Sequence, residues 1–312
     1  MKINKPKFWD KKINFFALIL LPLSLIVKLI ILIKKNFIVK HDFDIPIVCV
    51  GNIYIGGTGK TPISIELAKE LSILNIKPVI VRKYYKTHQD EFRMITENTN
   101  LIFKKKRIDS INQAIKEGYD LVLLDDGFQD YSIKKDLNIL CFNENQLIGN
   151  GLVIPSGPLR EDLSAVKNAQ IVIINGFKNI SFEEKILKLN SKISFFYCRY
   201  EPLNLKKFKN KNFIALSGIG NPHNFFNLLL DNGIKIKKKL IYPDHYKFTK
   251  KEIIKIVEKG KKNNCEVIMT EKDYLRIKDY NINNINYLKV KTIIKNKEKL
   301  IKEILQVYEK SN

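Results

Sequence analysis

Residues 45–61 read IPIVCVGNIYIGGTGKT. The apolar run Ile45 to Val50 is unbroken and ends at Gly51, as expected of a parallel strand covered on both faces. Gly56-Gly57-Thr58-Gly59 then leads into Lys60-Thr61. Pro62 suits the first turn of a helix whose apolar positions are Ile63, Ile65, Leu67, Leu71 and Leu74. Strand, glycine-rich loop and helix in that order make a cradle for anionic phosphate, because glycines let backbone N–H groups approach and the helix N-terminus adds partial positive charge. Lys60 would reach the β and γ phosphates of a nucleotide, and Thr61 would ligate Mg²⁺. The pattern GxxxxGK[ST] wants glycine at position 54, where this chain has Tyr54. A plain glycine-rich turn is the competing reading; the Lys-Thr pair at the helix start favours the cradle.

Outward from this stretch, Lys77-Pro78 precedes a second strand, Val79 to Arg82, completing a β-α-β unit. A helix over Ser110 to Glu117 and strands over Leu121 to Leu124, Asn138 to Phe142 and Gln170 to Ile174 extend it into an open, mostly parallel sheet. Asp125 and Asp126 end the third of these strands, at the carboxyl edge beside the phosphate loop. One of them can hold Mg²⁺. Adjacent strand residues point to opposite faces, so the two have different jobs unless the chain has already turned; a turn-capping role is open to either alone. Residues Asn175 to Asn212 are lysine-rich and less regular. Strand Phe213 to Leu216, helix His223 to Asp231, strand Lys237 to Ile241, helix Lys250 to Lys261 and strand Val267 to Thr270 then form a second α/β set. The expected organisation is an N-terminal anchor region, 1–40, a larger domain, 41–200, and a smaller C-terminal α/β domain, 201–312.

The chain has 312 residues, 45% of them hydrophobic, and only 14 Gly and 10 Pro, which excludes a disordered or collagenous protein. Lys plus Arg number 55 against 32 Asp plus Glu, a net charge of +23 that favours anionic partners, though lysine is frequent along the whole length. Cys49, Cys141, Cys198 and Cys265 form no CxxC, and the four histidines show no HExxH, so a disulfide framework and a zinc hydrolase are both unsupported. No zinc-finger, RNP or helix-turn-helix pattern accompanies the charge, and no nucleic-acid partner is expected.

Phe15 to Ile33 is apolar at all but Pro22, Ser24 and Lys28, about the length that crosses a bilayer, and it could span a membrane or lie on it. Lysines flank both ends (Lys5, Lys7, Lys11, Lys12; Lys34, Lys35) and give no orientation. Ser24 and Lys28, four apart, form a polar stripe suited to packing on protein. No small-residue cleavage site follows, and a phosphate loop begins within about twenty residues, which argues against a cleaved signal peptide.

Phosphoryl transfer is what these residues suggest, yet such a loop serves ATPases, switches and kinases alike. Gly51-Asn52 with Gly56 to Pro62, Asp125-Asp126-Gly127-Phe128-Gln129, and Gly149-Asn150-Gly151 with Pro155, Gly157-Pro158-Leu159-Arg160-Glu161 together resemble the tetraacyldisaccharide 4'-kinase family of lipid A biosynthesis. Ser217 to Pro222, Phe225-Phe226, Pro243-Asp244-His245-Tyr246 with Phe248-Thr249, and Thr270-Glu271-Lys272-Asp273 follow in the family's order, so the likeness runs from about residue 15 to about residue 275. The family's own loop also lacks the first glycine. The resemblance implies a P-loop NTPase-like, mostly parallel sheet domain with a smaller α/β domain, ATP and lipid in the cleft between them, and an N-terminal membrane-associated helix. It implies transfer of the ATP γ-phosphate, with Mg²⁺, to the 4'-hydroxyl of an acylated glucosamine disaccharide 1-phosphate at the cytoplasmic face of the bacterial inner membrane, by an enzyme taken to be a monomer.

Residue by residue, the likeness assigns Asp90 and Glu91 to the pair that supplies the base, assisted by His245. Lys60 and Asp126 join the catalytic set, Gly56, Gly57, Thr58, Gly59, Lys60 and Thr61 hold the nucleotide, and Thr61, Asp125 and Asp126 hold the metal. Asn52, Arg82, Glu91, Gln129 and Arg160 fall to substrate binding, with Arg160 on a proline-stiffened segment suited to a substrate or ATP phosphate. The chain departs from the family where Val81-Arg82-Lys83-Tyr84 replaces Ser-Arg-Gly-Tyr and Gln89 replaces the glycine before Asp90. The rival reading is a membrane-associated P-loop ATPase or nucleotide switch with no sugar acceptor.

Overall fold

Proline decides the first departure from expectation. The computed structural model describes residues 6–10, 13–86 and 88–311, so Lys5, Lys11 and Lys12 lie outside the described residues. Within 15–33 the apolar run is two helices, α1 (Phe15–Ile19) and α2 (Leu21–Phe37), with Pro22 in the first turn of the second. Proline has no amide hydrogen to give the preceding turn, so the ladder breaks there. At about 1.5 Å per residue, α2 measures about 26 Å, short of the hydrocarbon core of about 30 Å, and no described helix is long and apolar enough to cross a membrane.

One face of α2 is nailed to protein. Ser24 is buried, donating to the Val153 carbonyl at 2.8 Å and lying 2.8 Å from the Ser156 hydroxyl; Lys28 pairs with Asp162 at 2.6 Å and Lys35 with Glu161 at 2.7 Å. The opposite face exposes Leu25, Ile26, Leu29, Ile30, Leu32 and Ile33, each roughly half open to solvent.

The chain continues through β1 (Ile47–Gly51), α3 (Lys60–Ile73), β2 (Pro78–Lys83), α4 (Gln89–Thr96), β3 (Leu101–Lys104), α5 (Arg107–Lys116), β4 (Leu121–Asp125), β5 (Leu137–Asn143), β6 (Ile171–Asn175), α6 (Ile180–Leu187) and β7 (Ser194–Pro202). After these come β8 (Asn212–Ser217), α7 (Pro222–Asp231), β9 (Lys235–Ile241), α8 (Lys250–Lys262), β10 (Glu266–Thr270), α9 (Glu271–Ile277), β11 (Ile285–Leu288), β12 (Val290–Ile294) and α10 (Lys297–Ser311). The stretch expected to be less regular contains α6 and the nine-residue β7.

Among the described residues, the larger compact unit comprises the stretches within 6–84, 98–199 and 294–311, and the smaller those within 85–97 and 200–293. Each unit is therefore discontinuous in sequence, unlike the contiguous ranges expected: the segment carrying Asp90 packs in the smaller unit, and the C-terminal helix packs in the larger. α10 does so through Lys297, which pairs with Glu70 of α3 at 2.6 Å.

The main sheet runs β12-β7-β6-β5-β1-β4-β2-β3, and from β7 to β3 every pairing is parallel. Both faces are covered, so β1 and β4 are buried at every position. Strand order reverses at β1, and in such sheets ligands bind beyond the carboxyl ends at that switch point. Register aligns Val50 of β1 with Asp125 of β4, which puts the phosphate loop beside the paired aspartates.

The smaller unit has its own parallel sheet, β11-β10-β8-β9. One core packs Phe208, Phe213, Phe225, Phe226 and Leu229, and another packs Leu216, Phe248, Ile253 and Met269. Thr249 opens α8 with a capping box to Glu252, and Thr270 caps α9 by accepting from the Asp273 amide.

Candidate active site

In the larger unit the loop after β1 turns on glycines where L-residues are strained: Gly56 has φ +129° and Gly59, which caps α3, has φ +91°. Asn52 organises the loop from beneath, being fully buried and donating Nδ2 to the Tyr54 carbonyl (2.7 Å) and to Thr58 Oγ1 (3.1 Å). No side chain caps α3, so its first amides stay directed at whatever the loop encloses. Asn52 thus serves the loop itself.

Thr61 donates to Asp125 Oδ2 at 2.9 Å, and Arg82 reaches the same oxygen at 3.1 Å and Thr61 Oγ1 at 3.2 Å. Arg82, expected at substrate, is buried and neutralises the pair of residues that would ligate Mg²⁺. Asp126 has φ +56°, so the chain has turned by this point and the two carboxylates are separated by backbone conformation as well as by alternation. Asp126 Oδ1 faces Lys60 at 3.4 Å and Arg160 at 2.9 Å. Burial works to raise its pKa, but Lys60, Arg160, Arg82 and Arg107 outweigh that and hold it well below the usual carboxylate range. Gln129 donates to the Asn52 carbonyl at 2.9 Å and lies 3.4 Å from Arg160. The loop bearing Arg160 is stitched to the phosphate loop: the Arg160 amide donates to the Ile53 carbonyl, and the Ile55 amide to that of Pro158. Arg107, which sequence reading missed, donates to the Asp126 carbonyl at 2.7 Å and pairs with Asp130 at 3.0 Å. This donor set fits a nucleotide with its divalent cation.

The second constellation belongs wholly to the smaller unit. Asp90 and Glu91 occupy the first turn of α4, and Asp90 is buried, 1% exposed. Arg276 of α9 grips Asp90 Oδ2 through Nε (2.9 Å) and Nη2 (2.6 Å), while its Nη1 holds Asp273 at 2.6 Å and the Gly218 carbonyl at 2.8 Å. Asp90 Oδ1 faces His245 Nδ1 at 3.4 Å. Lys272 lies 2.7 Å from Glu91, 3.8 Å from Asp90 and 3.4 Å from His245 Nε2. Burial alone would raise the Asp90 pKa; the hydrogen bond to His245 and the charges of Lys272 and Arg276 reverse that and depress it strongly. With Nδ1 facing Asp90 and Nε2 facing the Lys272 ammonium, the surroundings of His245 suit the tautomer protonated at Nδ1. His245 has φ +55°, a strained conformation for a residue with a Cβ.

His88, Glu91 and His245 present donor atoms within 4.8 Å of one another, a spacing that could hold a metal ion. The Lys272 ammonium already sits against Glu91 and His245, so the cation this cluster calls for is built into the chain. Lys272 was legible only within the charged motif Thr270-Glu271-Lys272-Asp273 at a strand end, and Arg276, four residues on and on the same helix face, was not singled out. His88 packs face to face against His245.

A parallel α/β sheet with a glycine-rich phosphate loop at its switch point, a threonine-aspartate pair for a divalent cation and a separate aspartate-histidine cluster define a P-loop phosphotransferase. The tetraacyldisaccharide-1-P 4'-kinase family model matches residues 16–309. The chain is 42% identical over 318 aligned positions to a tetraacyldisaccharide 4'-kinase of Pelagibacter ubique, covering all of both chains, and 32% identical to one of Rickettsia akari, covering 98% of each. It belongs to the tetraacyldisaccharide 4'-kinase family. A crystal structure of LpxK from Aquifex aeolicus in complex with ATP shares the fold, with a TM-score of 0.71 at 23% identity over 94% of this chain and all of that one.

Proposed function

We propose that this protein transfers the γ-phosphate of ATP to the 4'-hydroxyl of a tetraacylated glucosamine disaccharide 1-phosphate, at a membrane surface. The observation that carries this reading is the pairing of a phosphate cradle with an Asp90-His245 cluster, because a switch or ATPase has no need of a proton acceptor for an alcohol. Gly56 to Thr61 enclose the β and γ phosphates, and Lys60 and Arg160 neutralise charge on the transferring oxygens. Thr61 and Asp125, with Asp126, would hold Mg²⁺, which supplies further charge neutralisation when bound. The acceptor hydroxyl must lose a proton as it attacks. His245 is the more exposed member of its pair, at 18% of its side chain against 1% for Asp90, so the proton enters at His245 Nε2 once the acceptor hydroxyl takes the place of the Lys272 ammonium there, and buried Asp90, fixed by Arg276, balances the imidazolium that forms. The half-exposed apolar face of α2 gives the enzyme a means of lying on the bilayer that holds its acylated substrate.

The test is purified protein in detergent micelles with γ-labelled ATP, Mg²⁺ and a tetraacylated disaccharide 1-phosphate, with labelled lipid separated from free phosphate. Labelled lipid that disappears in Lys60→Ala and falls by about 10² to 10⁴ in His245→Ala is the expected result. Free phosphate with no labelled lipid would overturn the proposal in favour of a nucleotide switch.

A further inference from the structure

The imidazoles of His88 and His245 lie face to face, with ring centroids 4.2 Å apart and planes within 3°. We infer that His88 is a positioning residue for the phosphotransfer reaction, holding the His245 ring in the plane from which it meets both Asp90 and the acceptor hydroxyl; the inference rests on the proposed role of the Asp90-His245 pair.

His245 needs such support because of where the fold puts it. It sits in the connection between β9 and α8 rather than in a helix or strand, at φ +55°. Its contacts to Asp90 and Lys272 are made at the edge of the ring, through Nδ1 and Nε2. Edge contacts fix where the two nitrogens lie but leave the ring free to rock about the line joining them. A ring stacked on its face removes that remaining freedom.

His88 is itself anchored well enough to serve. It occupies the N-cap position of α4, its amide donates to the Tyr85 carbonyl at 3.1 Å, its Nδ1 lies 3.3 Å from Glu91 Oε2, and the Tyr85 ring is 5.1 Å away at 41°. Glu91 Oε1 in turn takes the Lys272 ammonium. The stacked rings and the glutamate-lysine pair therefore close a loop in which each member limits the others. The contacts of His88 run to Glu91, Tyr85 and His245, so it orients the imidazole rather than transferring the proton. It stands next to Gln89, one of the positions at which this chain departs from the family's motif.

The experiment measures kcat and lipid KM for wild type, His88→Ala, His88→Phe and His88→Gln, with melting temperature alongside and with His245→Ala as the reference. Misplacement of a catalytic group by about 1 Å costs up to about 10²-fold. His88→Ala and His88→Gln should therefore lose on the order of tenfold in kcat with lipid KM unchanged, and His88→Phe should recover most of the loss, since phenyl keeps the stack and discards the polar nitrogen. Equal loss in His88→Phe and His88→Ala would overturn the inference and assign the effect to the contact with Glu91. A raised KM with unchanged kcat, or full activity in all three variants, would overturn it as well. If His88→Ala fails to fold, the comparison of His88→Phe with His88→Gln decides. Wild-type activity in His245→Ala would instead sink the proposed role of the pair, a result distinguishable from failure at His88 alone.

Discussion

Arg276 gives Asp90 its chemistry. Two of its nitrogens on a single carboxylate oxygen leave the other oxygen for His245, and with Lys272 nearby the carboxyl stays ionised far below its ordinary pKa. The sign of the linked stability follows. A depressed carboxyl adds stability that is complete above its unfolded value of about 3.9 and is lost as pH falls below that toward the folded value. Asp90→Asn leaves Arg276 and Lys272 without their buried partner, which costs about 3 kcal/mol or more at pH 6. The gap between wild type and variant in urea unfolding should then shrink on going from pH 6 to pH 3; a gap that stays constant would mean that Asp90 does not titrate with folding. Arg276→Met should lower kcat on the order of tenfold or more with ATP affinity unchanged, because the arginine's bonds go to Asp90, Asp273 and the Gly218 carbonyl. A shift in ATP KM alone would contradict that assignment. His88 and Arg276 were hidden from sequence reading for the same reason: each acts through contacts some 150 to 190 positions away in the chain, and nothing local marks a residue whose partner is so distant.

Elements built on local signals were the legible ones. The run Ile45–Val50 followed by Gly-Gly-Thr-Gly-Lys-Thr carries strand, loop and helix start in one window, and the structure puts β1 and α3 there. Asp125-Asp126 at a strand end was readable in the same way, as was the packed stripe of Ser24 and Lys28. What failed was continuity. Pro22 divides an apolar run that hydropathy alone treats as one segment, and β7 lies in a stretch whose lysines obscure the Ser194–Tyr197 core of the strand. The domain ranges missed the excursion of 85–97 into the smaller unit because chain crossings between units leave no compositional mark. The loop 149–160 offers a test at this scale. A Cβ on Gly157 would fall 2.3 Å from the Leu152 carbonyl oxygen and 2.1 Å from Asn150 Oδ1; the side chain can turn away, but the carbonyl cannot without moving the loop. Gly157→Ala should lower stability by about 1–3 kcal/mol and weaken ATP binding, since this loop carries Arg160 and is bonded to the phosphate loop. Thermal melts with and without ATP check both parts, and a variant with unchanged melting and affinity would show that the loop yields freely.

At the scale of the whole molecule, each unit presents its candidate site residues at the carboxyl edge of its own parallel sheet: Lys60, Thr61, Asp125 and Asp126 in one, His245, Lys272 and Asp273 in the other. Parallel strands end at that edge without tight hairpins, so loops of varied length can carry chemistry there. Two further properties act on the molecule as a body, a net charge of +23 and the exposed apolar face of α2, and their contributions to the proposed membrane binding can be separated. Charge attraction to an anionic surface is screened within about 10 Å at 0.1 M salt, whereas burial of leucine in the acyl boundary hardly responds to salt. Binding to vesicles containing anionic lipid should therefore fall at least tenfold between 0.05 and 0.5 M salt, leaving a residue equal to the salt-insensitive binding seen with zwitterionic vesicles. Leu25→Lys with Leu29→Lys should remove that residue, since each buried leucine is worth about 1.5–3 kcal/mol, while leaving melting temperature and ATP affinity unchanged, because both side chains lie on the face turned away from Ser24 and Lys28. Vesicle flotation across the salt series resolves the two terms. Binding to zwitterionic vesicles that survives the double substitution would show that α2 is not the docking element and that the membrane contact is made elsewhere on the surface.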